Sequence, residues 1–175
     1  MNEHNANKLF VSVMFSLFSL VNAGGDTNVA QCERDRALCR VACTRAMTAE
    51  DMCHVTNEAL VLLHAGADPN AFVSKVGCIP CAVRPLHLAA CEGNQMLVKT
   101  LLSFNADSLA RDGMGATALS VSHRQTGCHP DPFLPVNYGI SKQKLENHYK
   151  TRCILSEAMT LARAKEKEEE VGESS

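Results

Sequence analysis

Apolar residues recur at helical spacing in three stretches that align without gaps: LVNAGGDTNV at 20–29, LLHAGADPNA at 62–71 and LLSFNADSLA at 101–110. Each opens on an apolar pair, Leu20/Val21, Leu62/Leu63 and Leu101/Leu102. Another apolar residue lies three positions upstream, at Leu17, Ala59 and Val98. That spacing lays one apolar stripe along a helix. The next matched column holds Gly24, Gly66 and Asn105. A helix that stops sharply needs a left-handed residue just past its end, which Gly adopts freely and Asn tolerates. Two residues on, each stretch carries an acid, Asp26, Asp68 and Asp107. Its carboxylate suits a tight turn because it accepts nearby backbone N–H groups.

A second pattern follows each stretch: RALCRVAC at 36–43, RPLHLAAC at 84–91 and TALSVSHR at 117–124. Small and apolar residues dominate it, at Leu38/Val41/Ala42, Leu86/Ala89/Ala90 and Leu119/Ser122, so two helices can approach closely. Pro85 suits the first helical position, where a missing N–H costs nothing. Thr117 suits an N-cap. Between the patterns, ARDGMGA at 110–116 reads as a turn of Gly and Asp. The predicted unit is therefore helix, sharp stop, extended turn, helix, with a step of 33 residues from Arg84 to Thr117.

At these residues the chain resembles the ankyrin repeat family. Residues 84–119 carry the match, through Pro85-Leu86-His87, Ala89-Ala90, Gly93, Val98, Leu101-Leu102, Ala106-Asp107, Asp112, Gly115, Thr117 and Leu119. AGADPNA at 65–71 is a second close match, and residues 13–43 match weakly. Arg84 stands where the family pattern has Thr, and Asn94 where it has His. The aspartates are 42 and then 39 residues apart instead of 33. The first excess is expected between helices, around 44–57, and the second in the turn around 74–83. Residues 124–141, with three prolines, break the pattern. A capping helix is expected from Lys142 to about Lys165, with Leu145, Tyr149, Cys153, Ile154, Leu161 and Ala162 toward one face.

The resemblance implies an all-α fold: an ankyrin-type α-solenoid of three to four helix–turn–helix repeats with turn or β-hairpin fingers and irregular insertions. A truncated or degenerate first repeat would occupy 1–28. A degenerate repeat with an inter-helix insertion would occupy 29–71, and the best-matching repeat, with a finger insertion, 72–110. The last repeat, with its Pro-rich insertion and capping helix, would occupy 111–164, and 165–175 would be a disordered charged tail. Gly66, Asp68, Pro85, Leu86, His87, Ala89, Ala90, Asp107, Gly115 and Thr117 then form the structural motif. His87 is expected to hydrogen-bond within and between repeats. The implied function is protein–protein interaction through a concave face of finger tips and first helices. The positions carried over are Phe72, Val73, Ser74, Lys75, Cys91, Glu92, Arg111, Asp112 and Met114. Exposed Phe72, Val73 and Met114 would serve as apolar anchors in a polar rim.

Composition narrows the alternatives. A chain of 175 residues can bury a substantial core. A net charge of −2 leaves no basic surplus for a nucleic-acid backbone, and no apolar run reaches bilayer length. Nine cysteines cannot pair completely in a monomer, so buried reduced thiols are expected. Cys78-Ile79-Pro80-Cys81 has the spacing of half a zinc site. It would need two more ligands, with Cys32, His87 or Cys91 as guesses, and incidental thiols in a loop insertion are the simpler reading. No metal or cofactor is therefore expected. His54, His64, His123 and His129 are scattered, and there is no phosphate loop, GxSxG or HExxH, so no enzyme is expected. Glu50-Asp51 reads as a helix start with Thr48 as N-cap, not as a pair of catalytic carboxylates.

The run LFVSVMFSLFSLV at 9–21, followed by Val21-Asn22-Ala23, also fits a secretory signal with a small-residue cleavage site over residues 1–23. That alternative makes the protein a secreted, cysteine-rich one. A second alternative is a zinc or thiol site protein using residues 78–81. A signal gives no reason for Asp26 or Asn28, which the repeat register explains. A cytoplasmic protein that keeps Met1–Ala23 is the expectation.

Overall fold

Local chemistry accounts for most helix ends in the computed structural model, which describes residues 27–46, 48–74, 82–125 and 141–172. The helices are α1 (Thr27–Ala42), α2 (Ala49–His64), α3 (Pro85–Glu92), α4 (Gln95–Ser103), α5 (Ala118–Gln125) and α6 (Lys142–Gly172). Thr48 caps α2 as expected: Asp51 N–H donates to Thr48 Oγ1 at 3.0 Å, and Thr48 N–H donates back to Asp51 Oδ2 at 3.2 Å. This reciprocal pair satisfies two otherwise orphaned donors. Thr48→Ala should therefore lower stability by about 1 kcal/mol, read as a lower urea midpoint at unchanged slope. An unchanged midpoint would contradict the cap.

Helix stops fall where the sequence places them. Gly66 has φ +88 and Asn105 φ +62, the latter the single non-glycine residue with positive φ among those described. Asp68 Oδ1 accepts the Asn70 N–H at 2.8 Å, and Asp107 Oδ1 accepts the Leu109 N–H at 2.8 Å. Pro85 opens α3, which ends at left-handed Gly93. Asn94 then caps α4 by accepting the Leu97 N–H at 3.1 Å. Gly24 and Asp26 lie outside the described residues.

Three expectations about helix extent need correction. The turn expected before residue 36 is helical from Thr27, because TNVAQCERDRALCRVA contains neither Gly nor Pro to stop it. The excess around 44–57 is mostly helix, not an irregular insertion: α2 has 16 residues and α4 has 9. The tail expected from residue 165 is helical to Gly172, with residues 165–169 exposed.

The helices pair as α1 on α2, α3 on α4 and α5 on α6. α1, α3 and α5 also pack in series, as do α2, α4 and α6. Leu38, Leu62, Leu86, Leu97, Leu101 and Leu155 are fully buried between the rows. Buried Ala42, Ala59, Ala89, Ala90 and Ala118 let the backbones come close. His87 is buried and its Nε2 donates to the Ala116 carbonyl at 2.9 Å, joining α3 to the segment before α5. Burial holds its pKa below the usual imidazole value. Side chains also join successive stops. Asn70 Oδ1 accepts the Asp107 N–H at 2.8 Å while its Nδ2 donates to the Asn105 carbonyl at 3.0 Å. One unit earlier Asp35 and Gln31 divide the same task between Asp68 N–H and the Gly66 carbonyl.

Candidate functional site

Two antiparallel bridges stand between the helix pairs, each at the base of a finger. In the first, Val73 and Val83 exchange backbone hydrogen bonds at 3.0 Å in an antiparallel bridge. The strand period of two then separates neighbouring side chains. Val73 is buried and Phe72 is 54% exposed. Val73 is therefore a core residue and not an apolar anchor. The Arg84 guanidinium sits 5.2 Å from the Phe72 ring centroid, a cation–π contact, and Arg84 also donates to the Asn70 carbonyl. Ser74 is exposed. Lys75 lies outside the described residues, as do Cys78 and Cys81.

The second finger is held by Asp112, whose Oδ1 accepts the N–H groups of Met114 at 2.9 Å and Ala116 at 2.8 Å. Asp112 is thus committed to the turn. Gly115, at φ +76, completes it. Arg111 bridges to Thr117 and donates to the Gly115 carbonyl at 2.8 Å. Met114 is left 66% exposed at the tip. Gly113 N–H donates to the Ala82 carbonyl at 2.8 Å, tying the second finger to the base of the first. On the other side, the helical extension of α1 forms a cleft of about 360 Å³ against the first finger. Gln31, Cys32, Asp35, Arg36, Phe72 and Ser74 are among its walls.

Cys91 and Glu92 sit half-buried at the far end of α3, about 10 Å along the helix from Arg84. Burial raises the Glu92 carboxyl pKa, and Lys144 and Arg45 pull it back. The structure therefore brings Phe72, Ser74, Arg111, Asp112 and Met114 to the finger end and leaves Cys91 and Glu92 apart from them. Cys39 is buried and pushed up to about 12, mainly by desolvation, so it stays an unreactive thiol. Cys32, Cys53 and Cys153 are exposed, contrary to the expectation of buried thiols. Among the described residues no group of His, Cys, Asp and Glu is arranged to hold a metal ion, and no helix is long and apolar enough to cross a membrane.

One surface was missed from sequence. Tyr149, Cys153 and Leu161, expected on the packed side of α6, are exposed. With Leu119 and His123 they line a largely apolar groove between α5 and α6. The packed side of α6 is instead His148, Thr151, Leu155 and Met159. The signal was present as a second stripe on α6, at Tyr149, Cys153 and Thr160.

The ankyrin repeat family model matches residues 84–113, which run from the α3 cap through α4 to the second finger. No curated protein matches the chain.

Proposed function

We propose that this protein is a non-catalytic ankyrin-repeat scaffold that binds another protein through its finger tips and first-helix row. In this reading α1–α2, α3–α4 and α5–α6 are three stacked units of a short solenoid, and α1, α3 and α5 line its concave side. No unit buries its apolar stripe alone, so stacking supplies the core and leaves the fingers for recognition. One observation carries the proposal: Phe72 and Met114, both more than half exposed, stand on adjacent fingers, the first tied by the Val73–Val83 bridge and the second by Asp112. Large apolar side chains on a rigid base are what an interface core needs.

The test is site-specific photo-crosslinking in native lysate from positions 72 and 114, with position 149 on the α5–α6 groove as the comparison. The fingers should capture a discrete partner. Phe72→Ala should then weaken binding by about 2 kcal/mol, roughly thirtyfold, with an unchanged circular dichroism spectrum. Normal binding by Phe72→Ala together with capture from position 149 would move the interface to the groove.

A further inference from the structure

Arg84 stands where the family pattern has Thr, and Arg36 fills the same column one unit earlier. The position before Pro85 is the N-cap of α3, where a Thr hydroxyl would accept a backbone N–H. Arg84 makes no side-chain cap bond. It supplies a guanidinium under Phe72 instead, with one N–H anchored on the Asn70 carbonyl. Its Nε is buried without a hydrogen-bond partner. A helix cap has been exchanged for a positive charge at the base of the fingers.

That charge has company. Arg36 lines the cleft beside Phe72 and is exposed, as is Arg40 one turn further along α1. Arg111, also exposed, stands in the second finger beside Met114 and is oriented by its bond to Gly115. Among the described residues the ion pairs are His54 with Glu58 and Lys150 with Glu146, and neither involves these arginines. The nearby aspartates each accept backbone N–H groups. Asp35 accepts the Asp68 N–H, Asp68 accepts the Asn70 N–H, and Asp112 accepts the Met114 and Ala116 N–H groups. Guanidinium groups with spare donors therefore stand beside Phe72 and Met114, while the nearby aspartates are engaged with backbone N–H groups.

We infer that the finger face binds an acidic peptide segment in which carboxylates alternate with apolar side chains. Arg84 makes the central carboxylate contact, Arg36 and Arg111 flank it, and Phe72 and Met114 take the apolar residues. This rests on the reading of the fingers as the partner surface. Guanidinium forks match carboxylates in bidentate geometry. A nucleic acid fits less well. The chain's net charge of −2 leaves no basic surplus to follow a continuous phosphate backbone.

The experiment uses the full chain and fluorescence anisotropy. The probes are a fluorescein-labelled peptide of mixed Glu, Leu and Ala, its Glu→Gln counterpart, and a single-stranded DNA oligonucleotide. The acidic peptide should bind at least about tenfold more tightly than the Gln peptide, with the gap narrowing as salt rises. Arg84→Thr, which offers α3 its cap, and Arg36→Gln should each fold normally and lower the affinity about three- to tenfold. Equal behaviour of the Glu and Gln peptides overturns the inference, whether both bind or neither does. Tighter binding of the oligonucleotide overturns it as well. If both peptides bind equally but lose affinity with Phe72→Ala, the partner surface stands and the acidic specificity falls. Capture at the α5–α6 groove would remove the surface itself.

Discussion

Gly93→Ala should destabilise the fold by about 2–4 kcal/mol, and Gly66→Ala by about 1–2 kcal/mol. Both glycines sit at helix stops with positive φ, +73 and +88, so each substitution carries the strain of a left-handed L-residue. They differ in what the new methyl meets. At Gly66 nothing lies within 4 Å. At Gly93 three atoms of the His148 ring stand 3.1 Å away, and that ring is fully buried. Overpacking of this kind adds about 1–3 kcal/mol. Urea denaturation of the two variants isolates the contact, because the backbone strain is common to both. Gly66→Asn should be milder than either, since Asn105 already fills the equivalent stop. Equal losses for the two alanine variants would show that α6 does not press on the end of α3. Adding His148→Ala to Gly93→Ala should recover part of the difference.

Stability should also fall as the pH drops from about 6.5 to 4, by on the order of 3 kcal/mol from His148. Burial, then the nearby charges of Lys144 and Arg152, lowers the His148 pKa to about 4. The ring is thus neutral in the folded protein across this window, while the unfolded chain takes up a proton below about 6.5. The unfolded state binds more protons, so stability rises with pH through the window and levels off above it. His87 and His123, also lowered by burial, act in the same direction. Glu58 and Glu92, raised by burial, act in the opposite one. The difference between wild type and His148→Gln separates the term, because Gln does not titrate and can still meet Ser122, whose Oγ lies 3.4 Å from His148 Nδ1. Parallel stability–pH curves for the two proteins would exclude the assignment.

The features legible in the sequence are those that a few neighbouring residues decide. Gly66 and Asn105 stop helices because backbone sterics act within one residue. Asp68 and Asp107 hold turns because a short carboxylate reaches the N–H two residues on. Thr48 and Asp51 close a capping box, and Pro85 opens α3, for equally local reasons. His87 follows from the repeat pattern, which carries the same local geometry from unit to unit, whereas Asp112, expected to face a partner, holds its own turn.

What the sequence left open was decided between elements distant in the chain. Periodicity groups Tyr149, Cys153 and Leu161 on α6, but not which side meets α4 and α5. The buried side proved to be the one carrying His148, Leu155 and Met159. Alternation separates Phe72 from Val73 only once Val83 pairs with Val73 and selects the face that is covered. α1 runs on past its repeat register because nothing local stops it, and its extra turns become a wall beside the first finger. The placement of Arg84 under Phe72 likewise depends on two side chains twelve positions apart meeting across the finger. Local steric and hydrogen-bond rules act over one to four residues. Burial depends on which surfaces come together, so only the packed helices and fingers decide which stripe is core and which is free to bind.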